Sequence, residues 1–141
     1  MGINRKEKAI ELFNKRYNCA QSIMLAYCDL VNISEDMAFK LASGFEGGIV
    51  KLGKTCGTIN ASVMLLSLKY GESNKQDVNN KMKKREIIRN FINEFMENHK
   101  NGMNCTDILT EEKDKVYTMH SEKCAKTVGE VCDLLDKYMF L

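Results

Sequence analysis

Proline and tryptophan are absent from this 141-residue sequence, and aromatic residues make up only 8% of it. Runs of Val, Thr, Tyr and Phe, which favour β-strands, are also scarce, whereas the helix-favouring residues Lys, Glu, Leu and Met are frequent. These absences predict an all-α fold. A chain of this length with 44% hydrophobic residues can bury a core of its own, so we expect a single domain over residues 1–141.

Long apolar runs and a strong charge of one sign are absent as well. No stretch approaches the ~20 apolar residues of a membrane-spanning helix, and residues 1–6 precede no apolar segment like that of a secretory signal. The net charge is only +2, and we expect the basic run at residues 81–85 to form a solvated helix face. We therefore expect that the protein binds neither a membrane nor nucleic acid. We also expect a cytoplasmic location, where stabilising disulfides are uncommon.

Hydrophobic residues recur with helical spacing along most of the chain and predict a bundle of five or six helices. The predicted helices cover residues 5–17, 18–31, 34–44, 56–70, 82–100 and 121–138, with Asn18, Ser34 and Thr55 as N-caps. Residues 105–109 are predicted to form a short turn, followed by a charged connector. The 56–70 segment is apolar nearly all round, which predicts that it is the central helix of the core.

Glycines concentrate just before the 56–70 helix, at Gly44, Gly47, Gly48 and Gly53. This cluster predicts an ordered loop with positive φ angles or a close backbone approach. Residues 48–55 also match the phosphate-loop pattern G-x-x-x-x-G-K-T. A phosphate loop follows a buried strand, however, and neither that strand nor an apolar run ending in Asp is present, so nucleotide hydrolysis is a minor alternative.

Six cysteines are present, and four of them fall in the first turn of a predicted helix or helical turn, next to a capping residue: Cys19, Cys56, Cys105 and Cys124. A helix N-terminus presents unpaired N–H groups and a partial positive charge, which stabilise a thiolate over a thiol. Thiolates attack disulfides and bind metals. The other two, Cys28 and Cys132, lie in mid-helix among apolar neighbours and are predicted to be packing residues.

The four helix-start cysteines are spaced by 37, 49 and 19 residues, with no C-x-x-C pair. This spacing speaks against zinc ribbons and against a thioredoxin-type motif. Any shared site must be assembled by tertiary folding. Four thiolates brought together could hold zinc, a [2Fe–2S] or a [4Fe–4S] cluster, or form one or two redox-active dithiol pairs, and the sequence does not choose among these.

The cysteine environments also resemble a known family. The matching pieces are Asn-Cys-Ala-Gln-Ser at 18–22, the glycine stretch 44–48 leading to Thr-Cys-Gly at 55–57, Cys105 ahead of Ile108 and Leu109, and Cys124 opening the last helix. Together they resemble the redox-active proteins named for the cysteine signature C-GCAxxG-C-C, over nearly the whole chain. Residues 58–62 depart from the small residues and glycine of that signature. The resemblance implies a redox role without a defined substrate.

The two histidines are both predicted to be solvated. His99 lies at a charged helix end, where it would favour the helix dipole. His120 lies four residues before Cys124, near the predicted cap of the last helix. It could instead tune that thiol or supply a metal ligand.

The leading hypothesis is a redox protein whose four helix-start cysteines gather at one end of the bundle, as an iron–sulfur electron carrier or a dithiol/disulfide couple. These cysteines are the candidate catalytic and metal-ligating residues. Gly47, Gly48 and Gly57 are the candidate contacts to a cofactor, an iron–sulfur cluster or alternatively zinc. The expected partner is a redox protein or a small-molecule reductant, and a homodimer is left open. The alternative is a non-enzymatic zinc-binding structural or interaction module.

Overall fold

The computed structural model describes residues 3–141. Met1 and Gly2, which belong to the start where no secretory signal is predicted, lie outside the described residues. The described chain contains seven α-helices and no β-strand, which confirms the predicted all-α fold. The helices are α1 Arg5–Asn14, α2 Cys19–Tyr27, α3 Glu35–Ala42, α4 Gly57–Tyr70, α5 Val78–Met96, α6 Cys105–Leu109 and α7 Glu122–Tyr138. Five or six helices were predicted. The count differs because residues 105–109 form a short helix rather than a turn.

Two helices end earlier than predicted, where the backbone leaves the right-handed helical region. α1 stops at Asn14, and Arg16 soon after it has a φ of 77°. α2 stops at Tyr27 and passes into a 3₁₀ turn that ends at Asn32, with a φ of 59°. Left-handed angles are unfavourable for most residues, and hydrophobic periodicity alone does not reveal them.

The predicted N-caps Asn18 and Ser34 are confirmed. Their side-chain oxygens accept hydrogen bonds from the backbone N–H groups of Gln21 at 2.8 Å and Met37 at 3.0 Å, which satisfies donors that a helix start leaves unpaired. The Asn18 side-chain amide also donates to the carbonyl of Ala42 at 3.4 Å. This contact ties the start of α2 to the end of α3 and fixes where α2 begins.

The core is built on α2 and α4, which pack against each other. All of residues 20–27 of α2 are buried, and α4 also contacts α5 and α7. α2 therefore shares the central position that was predicted for α4 alone. The C-terminal part of α4 is less buried than predicted, since Leu68 is 52% exposed. Cys28 and Cys132 are buried in the core, as predicted for packing residues.

The surface of α5 agrees with the prediction for the basic run. Most of residues 81–85 are exposed, and the half-buried Lys84 forms an ion pair with Glu72 at 2.7 Å. Across residues 3–141, no helix combines the length and the apolar character that crossing a bilayer requires.

Candidate functional site

Four helices begin around one cavity of about 160 Å³. The helix-start cysteines all line it, and each comes from the start of a different helix: Cys19 of α2, Cys56 of α4, Cys105 of α6 and Cys124 of α7. All six cysteines are free thiols. Folding therefore brings together the four residues that the sequence singled out, and the two packing cysteines do not line the cavity.

The predicted cap of α4 is wrong by one residue. Cys56 itself is the N-cap, whereas Thr55 forms an isolated antiparallel bridge with Asn104. Beside this bridge the backbone N–H of Cys56 donates to the carbonyl of Met103 at 2.9 Å. The bridge holds the start of α4 against the start of α6, so Cys56 and Cys105 reach the same cavity. Sequence periodicity could not show a pairing between segments this far apart.

The Cys19 and Cys56 side chains line the same cavity and shift each other's pKa. Interaction with the Cys19 side chain lowers the pKa of Cys56 to about 7. Burial opposes the shift, but the Thr58 hydroxyl at 3.0 Å and favourable interactions with the backbone N–H groups of Thr58 and Ile59 support it. Interaction with Cys56, followed by burial, raises the pKa of Cys19 well above its usual value. Near neutral pH, Cys56 is the sulfur that carries the thiolate, and Cys19 remains the thiol.

Cys105 and Cys124 have different surroundings. Cys105 is buried, and burial together with the nearby Cys56 and Cys124 raises its pKa to about 11. Cys124 is half-buried in the first turn of α7, where the hydroxyl of Ser121 donates to its sulfur at 3.9 Å. Ser121 is the N-cap of α7, so this helix begins where the sequence predicted it.

The three candidate glycines play different structural parts. A Cβ on Gly57 would lie 2.7 Å from the sulfur of Cys19, so glycine is what lets α2 approach α4 closely enough for the two thiols to meet. Gly47 lines the cavity, and a Cβ there would lie 2.8 Å from the sulfur of Met119. Gly48 does not line the cavity and is buried within the loop.

The glycine-rich loop is ordered, as predicted, and has an unusual backbone. Residues 47–51 all have positive φ, including the β-branched Ile49 at 66° and Val50 at 39°. The backbone N–H groups of residues 50–54 donate to carbonyls of residues 44–49. Because the loop occupies these N–H groups itself, they are not free to cradle a phosphate. With no strand before it in the described chain, the loop lacks the structure of a phosphate loop.

His120 is not solvated, contrary to the prediction. It is half-buried in the cavity lining, and its ring stacks on Phe13 with centroids 3.9 Å apart. Its Nε2 donates to the carbonyl of Tyr17 at 3.2 Å, which leaves Nδ1 as the acceptor for the Arg16 guanidinium at 3.2 Å. Both ring nitrogens are engaged, so His120 helps to shape the cavity wall and offers no free nitrogen to a metal.

Comparison with known proteins assigns the family. A family model described as "Putative redox-active protein (C_GCAxxG_C_C)" matches residues 17–138. This chain belongs to the C_GCAxxG_C_C family. An uncharacterized protein of Archaeoglobus fulgidus is 43% identical over 65 residues, which are 45% of this chain and 42% of that protein, so the match covers less than half of either. No solved structure is significantly similar.

The departure from the C_GCAxxG_C_C signature does not loosen α4. Thr58 and Ser62, where the family signature leads one to expect small residues and glycine, are both buried. The hydroxyl of Ser62 donates to the carbonyl of Thr58 at 2.7 Å, which satisfies the buried polar group within the helix. The first turns of α4 therefore pack tightly beside the cavity.

The prediction that His99 is solvated is also wrong, since its side chain is only 2% exposed. Its Nδ1 donates to Glu111 at 2.9 Å and its Nε2 to Glu130 at 2.7 Å, and its ring stacks on Phe95. Burial lowers the pKa of His99, but the two carboxylates outweigh it and raise the pKa overall. Lys123, next to Cys124, forms an ion pair with Glu111. Their positions in the sequence give no signal for this network.

A metal centre is not preformed in this arrangement. Over the described residues, no group of three or more His, Cys, Asp or Glu side chains is close enough to hold a metal ion. Zinc requires sulfur ligands at ~2.3 Å, so four thiolates around it would lie only a few ångströms apart. The four cysteines as placed do not fit zinc or an iron–sulfur cluster, and ligation of either stays a prediction from the sequence.

Proposed function

We propose that this protein reduces disulfides by thiol–disulfide exchange, with Cys56 as the attacking thiolate and Cys19 as the resolving thiol. The main support is the placement of both cysteines at one cavity, where Gly57 lets α2 and α4 approach closely and the Thr58 hydroxyl lies 3.0 Å from the sulfur of Cys56. An attacking thiol works best when its pKa is near the ambient pH, which fits the pKa of about 7 at Cys56. Membership of a redox-active family agrees with this chemistry.

The exchange takes two steps. The Cys56 thiolate attacks one sulfur of the substrate disulfide and forms a mixed disulfide, while the other substrate sulfur leaves with the electron pair and takes up a proton. Cys19 then loses its proton and attacks the sulfur of Cys56. This forms the Cys19–Cys56 disulfide and releases the second half of the substrate as a thiol. The substrate gains two electrons and the cysteine pair loses two.

Cys105 and Cys124 provide a second dithiol in the same cavity. Cys105, with a pKa of about 11, is a thiol at neutral pH and unsuited to the first attack. After the Cys19–Cys56 disulfide has formed, exchange with these two cysteines would move the disulfide to them and return Cys56 to its thiolate. No external reagent is needed for this transfer. Reduction by a redox partner protein or a small thiol in the cytoplasm would then complete the cycle.

Trapping the mixed disulfide tests the assignment of roles. Reduced protein is mixed with a small disulfide at pH 7, and the adduct is located by mass spectrometry of peptides. Cys19→Ser removes the resolving thiol but keeps a hydrogen-bond donor, so it should accumulate about one equivalent of adduct on Cys56. Cys56→Ser should give no adduct within the same time, and Cys28→Ser should behave as wild type. Equal loss in the Cys56 and Cys28 variants would contradict the proposal.

The alternatives with a cluster or a structural zinc are tested on the same preparation. Protein purified without oxygen is analysed for iron and zinc and examined by visible absorption. Thiol–disulfide exchange predicts full reaction with the disulfide in metal-free protein. Stoichiometric iron with visible colour, or one tightly held zinc whose removal unfolds the protein, would replace the dithiol proposal with the corresponding metal centre.

A further inference from the structure

The proposed reactive pair, Cys19 and Cys56, lines the cavity. Cys56 is 8% exposed, and the surrounding space of about 160 Å³ accommodates a few atoms of a substrate rather than a folded chain. A disulfide on the surface of a folded protein reaches a buried sulfur in so small a space less readily than a small molecule does. A slender disulfide with unbranched arms could enter. The access route therefore favours a small molecule over a protein substrate.

The outer lining carries an excess of positive charge. Arg16 and Lys51 line the cavity with exposed side chains, and neither forms an ion pair with any residue of the described chain. Glu46 is the one carboxylate among the lining residues and is half-buried. Two cations against one carboxylate attract an anion, and the attraction is strongest at low ionic strength.

The inner lining adds to this field. The N-termini of α2, α4 and α7 lie at the cavity, and each carries about half a positive charge from the helix dipole. Cys105 is 8% exposed, lines the same space and makes no side-chain hydrogen bond within residues 3–141. The thiol of Cys105 therefore faces a cavity with a positive potential.

The remaining walls are apolar and suit the body of a disulfide. Phe13, Ile108, Leu109 and Met119 also line the cavity. Methylene groups and the sulfur–sulfur bond of a substrate can contact these side chains while a charged end group stays at the exposed cations. The lining therefore combines exposed cations, apolar side chains and the cysteine sulfurs.

We propose that the substrate is a small aliphatic disulfide with carboxylate end groups, whose carboxylate binds at Arg16 and Lys51 while one sulfur reaches Cys56. This inference rests on the proposed thiol–disulfide exchange and adds the substrate class. The exchange itself balances as described above, with the substrate released as two thiols that carry carboxylates.

Three disulfides of similar length but different charge test this substrate class. Dithiodiglycolate carries two carboxylates, bis(2-hydroxyethyl) disulfide is neutral, and cystamine carries two ammonium groups. The rate at which each oxidises reduced protein is divided by its rate with 2-mercaptoethanol, because the leaving thiols differ in pKa. We expect the normalised rates to fall in the order anion, neutral, cation, by about fivefold per step at low salt, and to converge at high salt.

Variants at the exposed cations separate a specific subsite from a general charge effect. Arg16→Gln and Lys51→Gln should each lower the ratio of the dithiodiglycolate rate to the rate with the neutral disulfide by about fivefold. Lys54→Gln is the matched control, since Lys54 is exposed on the same loop but does not line the cavity. It should behave as wild type.

The outcomes distinguish the substrate class from the exchange reaction. Equal normalised rates for the three disulfides, with a Cys19–Cys56 disulfide formed by each, would overturn the carboxylate preference and leave the exchange reaction intact. An equal effect of Lys54→Gln and Lys51→Gln would also overturn the subsite. Failure of all three disulfides to oxidise the cysteine pair would overturn the proposed function and the substrate class with it.

Discussion

The interaction between Cys19 and Cys56 shifts the pKa values of the two thiols in opposite directions. The two thiols are alike in the sequence, since both stand at the start of a predicted helix. They differ in the structure because the Thr58 hydroxyl, at 3.0 Å, and backbone N–H groups at the start of α4 also favour the Cys56 thiolate. Stabilising one thiolate raises the proton affinity of its neighbour, which supports the proposed roles of Cys56 as nucleophile and Cys19 as resolving thiol.

Removing the Cys19 thiol should raise the pKa of Cys56. In wild type, the rate of alkylation at Cys56 by iodoacetamide should rise through a midpoint near pH 7, following the thiolate. In Cys19→Ala, the midpoint should move upward towards 9.0, because the largest cause of the lowered pKa is gone. Cys19→Ser retains a donor and should stay closer to wild type. Identical midpoints in all three proteins would show that Cys19 does not control Cys56.

Gly57→Ala should separate the two thiols. Its added methyl group would lie 2.7 Å from the sulfur of Cys19 and 3.0 Å from the carbonyl of Phe45, so α2 and α4 must shift apart. We expect a loss of about 1 to 3 kcal/mol in the free energy of unfolding and slower formation of the Cys19–Cys56 disulfide. Gly44→Ala is the control, since a Cβ there meets no atom within 4 Å. Thermal denaturation and disulfide kinetics of both variants measure the difference.

At the scale of elements, the positions of the helices depend on contacts that join remote segments. The bridge between Thr55 and Asn104 holds the start of α4 beside that of α6. His99, Glu111 and Glu130 join the end of α5, the connector after α6 and α7. That connector continues to His120 in the cavity wall, so the buried ion network supports the loop that closes one side of the site.

Local signals explain which parts of this arrangement the sequence predicts. Helix periodicity and the Asn18 cap depend on residues within a few positions of each other, and both are confirmed. The cap at Cys56 and the burial of His99 depend on partners that are remote in the chain, such as Glu130, 31 residues away. A short-range pattern cannot report such partners. The four cysteines could be recognised as a group from the sequence only because each lies near a residue that commonly caps a helix.

The buried network at His99 should make stability depend on pH. Because the folded pKa of His99 is raised, its contribution is complete below the unfolded value near 6.5 and is lost as the pH rises through the folded pKa. The pKa of Glu130 is lowered by His99, so its contribution is present above about 4.5 and is lost as the pH falls. The network should therefore stabilise the fold most between these two values.

His99→Leu tests this dependence. It leaves the carboxylates of Glu111 and Glu130 without their common partner and should lower the free energy of unfolding at pH 6 by on the order of 3 kcal/mol. The loss should shrink as the pH rises to 9, because wild type gives up the same interaction there. Urea denaturation at several pH values measures both proteins. Parallel profiles for wild type and His99→Leu would show that the imidazolium does not stabilise the fold.

At the scale of the whole molecule, helix starts converge on one end of the bundle. Of the seven helices within residues 3–141, α2, α4, α6 and α7 all begin at the same cavity. Their N-terminal charges favour thiolates and anions there, while the packing cysteines Cys28 and Cys132 lie in the core. The fold therefore separates the cysteines that line the cavity from those that pack in the core, although the chain has only a small net charge of +2.

Disulfide mapping of wild-type protein tests the reactive pair most directly. Fully reduced, metal-free protein is treated with one equivalent of a small disulfide, quenched with acid within seconds and digested for mass spectrometry. Thiol–disulfide exchange predicts that Cys19 and Cys56 are joined first, with Cys28 and Cys132 still reduced. A first disulfide that excludes Cys56, or a protein that remains fully reduced, would contradict it.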